Sequence, residues 1–295
     1  MSNLNLSLAL AAGSLFAAPA GAVDLKVPAH FPTIQSAIDA AHPGDDVLVK
    51  PGKYDEDLVI DGLDQVGVIS GGKFKVRSLR ISNSVGIDVA GAACSGAFDH
   101  EFVRVENSTF VSLLYLDLKG KVTKFVGDDD MLEVTGVVVE QSHHVFIGDS
   151  KFDNLLDGVR MAHSSHVHVL GGVFKHAPIE AHSVIESYVT DSKIGFLTAF
   201  GSPLELARNT IKKGAVVFSL SDAGILRFNK LKKSTVSFNG CSDVLVEENK
   251  AKKSSLRLLN THDSLVTGNL ISKSPGHGIE LSGTSASWPA APLAL

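Results

Sequence analysis

The chain has 295 residues, 44% of them hydrophobic and 20% charged, with 27 glycines, which excludes a disordered or collagen-like polymer and leaves a protein able to bury a large core. A formal net charge of -5 and a pI near 6.2 argue against a nucleic-acid partner, but the charge is unevenly placed. Between Gly201 and Pro275 there are 12 Lys and Arg against 6 Asp and Glu, so charge has to be read face by face.

In chain order, residues 1–22 read as a secretory signal, with an apolar stretch from Leu4 to Phe16 and a small-x-small pattern ending at Ala22. No Lys or Arg precedes Lys26, so an unprocessed N-terminal arm is the other reading. Gly, Ser and Pro interrupt a stretch already shorter than the ~20 residues of a membrane span, so no span is expected and the location is periplasmic or secreted. A helix is predicted over 33–41, because Ile34, Ala37, Ile38 and Ala41 fall on one face. Thr33 is its N-cap, and His42-Pro43-Gly44-Asp45 stops it. Asp46-Val47-Leu48-Val49, turning at Pro51-Gly52, opens the first coil of a repeat.

Asn209, Asn229, Asn249 and Asn269 are spaced by 20 residues. Leu206, Leu226, Val246 and Val266 keep the same step, as do Ile211, Leu231, Ala251 and Ile271, and the pairs Val216/Phe218, Val236/Phe238 and Leu256/Leu258. Period-two alternation inside such a repeat means short strands joined by turns. Stacked, they form an all-β fold, a right-handed parallel β-helix with coils of about 20–22 residues capped by the N-terminal helix. Looser copies occur at Val145-x-Ile147-x-x-Ser150-x-Phe152, Val167-x-Val169-x-x-Gly172-x-Phe174 and Val103-x-Val105-x-x-Ser108-x-Phe110. The last of these places Ser108 two coils of 21 before Ser150. One domain, 23–285, and an irregular tail, 286–295, follow. Cys94 and Cys241 lie some seven coils apart, on the order of 30 Å at the strand spacing, too far for a disulfide; two free, buried thiols are expected.

Val27-Pro28-Ala29-His30-Phe31-Pro32-Thr33-Ile34-Gln35-Ser36-Ala37-Ile38, then Gly44-Asp45-Asp46-Val47 and Pro51-Gly52-Lys53-Tyr54-Asp55-Glu56, resemble the opening of the pectin-lyase-like β-helix superfamily. Gly278-Ile279-Glu280-Leu281-Ser282-Gly283 is similar to its short repeat unit. The resemblance implies the fold and spans lyases, hydrolases, esterases, epimerases and non-catalytic surface and accessory proteins, so it does not choose a function. The Gly-Tyr-Gln-Asp-Thr and Asp-Phe-Ile-Phe-Gly segments of pectin methylesterases are absent. Gly276-His277-Gly278 matches a polygalacturonase tripeptide without its companion segments, and the repeat accounts for it. The Arg-x-Pro-x-x-Arg segment of pectate lyases is missing. The sequence requires no cofactor; Ca²⁺ is what a lyase of this kind would use.

Lys213, Lys233, Lys253 and Lys273, with Lys212, Lys232 and Lys252 beside them, form a cationic ridge with about 4.8 Å between coils. It is either a binding ridge for an acidic polysaccharide or a solvated turn that discourages lateral aggregation. Seven of the twelve histidines lie between His143 and His182. His144, His166 and His168 are the weak candidates for Zn²⁺ or Cu²⁺, or else ordinary surface histidines. Acid/base chemistry is best sought at Asp157, Arg160, Glu180 and His182, near His163. Aligning Val159/Met161 with Ile179/Ala181 sets Arg160 beside Glu180, either as a cation steadying a uronate enediolate or as a cross-strand ion pair. Asp157 with Glu180 is the one pair to test for hydrolysis. Asp128-Asp129-Asp130 is a loop cation site or solvated charge. Ile225, Leu245 and Leu265 form an outward apolar stripe for a protein partner, or are turned inward by a bulge. The expected function is an exported protein that binds or processes an acidic polysaccharide, with a uronate lyase the first reaction to test. The alternatives are a non-catalytic envelope binding or scaffold module and a periplasmic metal-handling accessory protein, so catalysis itself is left open.

Overall fold

The computed structural model describes residues 21–96, 101–121, 134–274, 276 and 278–283. The N-terminal signal, Asp128-Asp129-Asp130, His277 and the C-terminal tail lie outside them. Every strand pairing is parallel, each strand meeting its equivalent one coil on, as the repeat required. Among the described residues, eleven first strands, from Asp57–Asp61 to Ile279–Ser282, stack into one sheet. The second and third strands of the coils belong to a 21-stranded sheet. Two long early strands fuse these last two faces: Val85–Gly96 pairs with both Thr109–Leu114 and Asp117–Gly120.

The solenoid starts earlier than the sequence pattern indicated, since Asp24–Val27 already pairs with Asp46–Val49. The helix is shorter than expected, Ile34–Asp39, with Thr33 as N-cap and Ile34, Ala37 and Ile38 buried in the core. The glutamate at Glu56 accepts the backbone N–H groups of Ile34 and Gln35 at 3.1 and 2.9 Å. The Gln35 amide in turn pairs with both backbone groups of Val59, donating to its carbonyl at 2.9 Å and accepting its N–H at 2.8 Å. One side chain thus occupies part of the free edge of the strand Asp57–Asp61, where another chain would otherwise add. Glu56→Ala removes the acceptor for two helix N–H groups and is expected to lower stability by about 1 kcal/mol in urea unfolding; an unchanged midpoint would mean that water caps the helix equally well.

Inward columns carry the core. Val159, Ile179, Leu197, Val216, Val236 and Leu256 stack in register along the first face, and the rings of Phe218 and Phe238 lie parallel with centroids 4.6 Å apart. These pairings give coils of 20, 18, 19, 20 and 20 residues in turn, so the shortest of them runs from Ile179 to Leu197.

The corners explain which residues the repeat tolerates. A residue of positive φ projects outward, and the next residue turns a small polar side chain inward; the first corner carries a second positive-φ residue three positions on. At the first corner Asn107, Gln141 and His163 take φ of 47, 49 and 48°. The serines that follow form a ladder: the N–H of Ser108 donates to the Oγ of Ser142, and the N–H of Ser142 to that of Ser164, at 3.2 and 3.1 Å. This corrects the expected alignment of Ser108 with Ser150. Val103 and Val105 belong to a first strand, whereas Val145 and Ile147 belong to a second one. Phe110 accordingly is not inward like Phe152 but stands 45% exposed at a corner. Cys241 occupies a position in the same serine column, and both cysteines are buried and free. Burial pushes the Cys94 thiol up to about 12, which removes it as a nucleophile at neutral pH.

At the second corner the ladder passes from serine to asparagine. Ser192, Asn209, Asn229 and Asn249 each donate a backbone N–H to the Oδ1 of the asparagine one coil on, at 2.8–3.0 Å.

Candidate functional site

Arg160 and Glu180 are register neighbours on the outer side of the first-strand face, and Ala162 and His182 are the next pair along. The expected ion pair does not form. Glu180 instead turns along its own strand, where its Oε1 lies 3.0 Å from the Nε2 of His182. Residues i and i+2 share a strand face, so this contact competes directly with the cross-strand one. Arg160 is half-buried between Val138 and Glu180, and its guanidinium is within ion-pair distance of no carboxylate among the described residues. The ring of Phe200, 46% exposed, follows His182 in the same column, with centroids 6.1 Å apart. Asp157 begins the strand three residues and one coil from Glu180, which separates their Cα atoms by about 11 Å at normal strand dimensions. A retaining hydrolase needs carboxyl groups about 5–5.5 Å apart, and these backbones do not favour that.

Two coils toward the N terminus the same columns carry a closed ion network that the sequence reading missed. Arg104 holds Glu101 at 3.0 Å, Glu106 at 2.7 Å and Glu140 at 2.6 Å, and Arg80 also meets Glu106. The Arg104 hydrogen bond holds the Glu106 carboxyl below its usual range, against the opposing effect of burial and helped by Arg80. Arg104 is committed to three carboxylates, whereas Arg160 keeps its hydrogen-bonding edge.

The histidines form a ladder. Phe110, His144, His166 and Glu186 occupy equivalent corner positions with φ of 56, 54, 53 and 49°. Phe110 and His144 stack at 4.7 Å, His144 and His166 at 4.4 Å, and the Nε2 of His166 meets Glu186 at 2.5 Å. His168 lies apart on the strand, edge-on to Tyr188 at 4.7 Å. Stacked imidazoles present their faces to each other, so their in-plane nitrogen lone pairs do not converge. Among the described residues no group of three or more His, Cys, Asp or Glu is placed to hold a metal ion.

Desolvation, then the neighbouring His166 and His143, lower the pKa of His144. Its proton is therefore taken up by the unfolded chain first, and stability falls as pH drops below the ordinary histidine value of about 6.5. His144→Phe, which continues the stack from Phe110, is expected to flatten that part of the melting temperature against pH. Parallel curves for the two proteins would assign the dependence to other groups.

Lys213, Lys233, Lys253 and Lys273 all stand at third corners with φ of 53–54°. Gly214 beside Lys213 lies so close to the preceding coil that a Cβ would sit 1.6 Å from the Gly195 carbonyl oxygen, which fixes that corner against its neighbour. Lys212, Lys232 and Lys252, expected beside them, stand in register, and the structure adds one further column of Lys193, Thr210, Lys230 and Lys250. Lys230 and Lys250 follow the asparagines directly, and their spacing was visible in the sequence. Ile225, Leu245 and Leu265 do stack in register outside the buried Leu226 and Val246, with Leu265 41% exposed and the first two half-buried; no bulge turns them inward. Nothing in the structure shows what would cover them.

No family model and no curated protein sequence matches the chain. Solved structures do. An alginate lyase from Paenibacillus shares 13% identity at a TM-score of 0.51, covering 90% of this chain and 99% of its own. A surface adhesin of Streptococcus pneumoniae shares 12% at 0.50, covering 84% and 95%. A family 28 exopolygalacturonase of Yersinia enterocolitica shares 10% at 0.51, covering 88% and 75%. Likeness at this identity establishes the fold alone: the chain is a parallel β-helix. Among the described residues no helix is long and apolar enough to cross a membrane.

Proposed function

We propose that this β-helix acts on an acidic polysaccharide outside the cytoplasm, by β-elimination at the first-strand face. The observation that carries the reading is Arg160, a guanidinium with no carboxylate partner among the described residues, in register beside a Glu180–His182 pair. With Nε2–H of His182 directed to Glu180, Nδ1 carries the lone pair and is the base. Nδ1 takes the proton α to the uronate carboxylate while Arg160 binds that carboxylate and stabilises the charge that develops on it. The electrons of the broken C–H bond form the new C=C bond. The adjacent C–O bond breaks, and the departing oxygen takes a proton from water. Glu180 orients the imidazole, and the exposed ring of Phe200 offers an apolar surface to the neighbouring sugar.

Purified protein incubated with pectate, alginate and glycosaminoglycans is expected to generate the ultraviolet absorbance of an unsaturated uronate product from one of them. No product from any, with the β-structure intact by circular dichroism, would remove β-elimination. A binding-only role rests on a separate observation, the lysine columns.

A further inference from the structure

We propose that the third-strand face is an anchoring surface for a linear polyuronate that lies parallel to the solenoid axis, with one carboxylate to each coil. The inference shares the polymer class with the proposed function and none of its catalytic residues. Lys193, Thr210, Lys230 and Lys250 form one column, Lys212, Lys232 and Lys252 the second, and the corner residues Lys213, Lys233, Lys253 and Lys273 the third. All ten lysines are exposed, and none is within ion-pair distance of a carboxylate among the described residues. On the adjoining corner Asp191 is taken by Arg208 at 2.8 Å, which leaves Glu248 as the flanking acid.

Three features select the occupant. Ammonium groups rooted about 4.8 Å apart lie well within a Debye length of about 8 Å, so their potentials add along the columns. The face is only three residues wide, about 10 Å across, but runs over five coils from Lys193 to Lys273, so a chain meets the most charge by lying along the axis. A polyuronate carries one carboxylate on each pyranose, and one pyranose spans about the rise of one coil. Every successive sugar can therefore meet at least one lysine, with the most charge on the two coils that carry Lys230, Lys232 and Lys233 and Lys250, Lys252 and Lys253. The outward strand positions of this face bear no aromatic ring; Phe196 and Phe228 stand singly at its edges, without the stacking ladder that single-stranded nucleic acid uses.

The test is calorimetry with oligogalacturonates of two to eight residues, alongside neutral oligosaccharides, polyphosphate and single-stranded DNA of matched charge. Affinity is expected to rise with each residue up to about five and then level, with no heat from the neutral chain. The quadruple variant Lys230→Ser, Lys232→Ser, Lys250→Ser, Lys252→Ser is expected to bind at least roughly tenfold more weakly and with a shallower salt dependence. Should that variant not fold, Lys232→Ser with Lys252→Ser reads out the same loss. Affinity independent of length, unchanged affinity in either variant, or tighter binding of polyphosphate or DNA than of the uronate would each overturn the proposal. Binding without product would leave the anchor standing and remove the elimination reaction; product with unchanged binding in the lysine variants would do the reverse.

Discussion

Replacing Asn229 with alanine is expected to cost about 3–5 kcal/mol in urea unfolding, more than any exposed substitution on the same coil. The side chain is fully buried and closes three hydrogen bonds with backbone. Its Oδ1 accepts the N–H of Asn209 at 2.8 Å, and its Nδ2 donates to the carbonyls of Leu206 and Arg227 at 2.8 and 2.9 Å. Alanine leaves those groups inside the protein without partners, in a space that water reaches only by parting two coils. Aspartate preserves the acceptor but removes the donors and buries a charge, so it should not rescue. A loss below 1 kcal/mol would show that the backbone relaxes or that water enters. Because each coil touches chiefly its neighbours, hydrogen exchange should accelerate first at Asn209 and Lys250, on the two adjoining coils.

On the catalytic reading, Arg160→Ala and His182→Ala should each lower the elimination rate by on the order of 10²–10⁴. Their signatures differ. Loss of His182 removes the base and should leave substrate affinity nearly unchanged, and it should also abolish the limb of the pH–rate profile that reports imidazole. Loss of Arg160 removes carboxylate binding and charge stabilisation together, so both KM and kcat should suffer. Arg160→Lys keeps the charge without the two-pronged geometry and should recover only part of the rate. Glu180→Gln keeps a hydrogen-bond acceptor for Nε2–H and should cost less than either. Equal activity in all four proteins would place the chemistry elsewhere.

The regular coils were legible because one register repeats without insertion. Asn209 to Asn269, the inward pairs and the separation of the cysteines all follow from a 20-residue step, and the structure reproduces them. Register also set Arg160 beside Glu180. What register cannot supply is the rotamer: Glu180 had two N–H donors within reach, and the choice of His182 over Arg160 depends on side-chain geometry. The assignment of Ser108 to Ser150 failed because the two corners share a pattern of alternating valines followed by serine, and 34 residues separate Ser108 from its true partner Ser142. That separation also concealed the Glu106–Glu140 pairing and with it the Arg104 network. Left-handed corners gave no compositional signal, since Asn, His, Lys, Phe and Leu all occupy them. The stacked histidines, which in sequence suggested a metal set, were a consequence of that corner geometry.

The asparagine ladder also bears on how such a chain can grow. Each of Asn209, Asn229 and Asn249 presents an amide to the coil after it and satisfies groups of the coil before it, and the surrounding strands match at every position of the step. A segment such as 230–249 can therefore be copied in frame with every buried polar group still partnered. The 18-residue coil that begins at Ile179 carries Ser192 at this corner, whose Oγ accepts the Gly172 N–H at 3.0 Å while its own N–H reaches the Oδ1 of Asn209 at 2.9 Å. Tandem duplication in 20-residue steps is thus open to the C-terminal half of this solenoid, whereas the coils of its middle differ in length from one to the next.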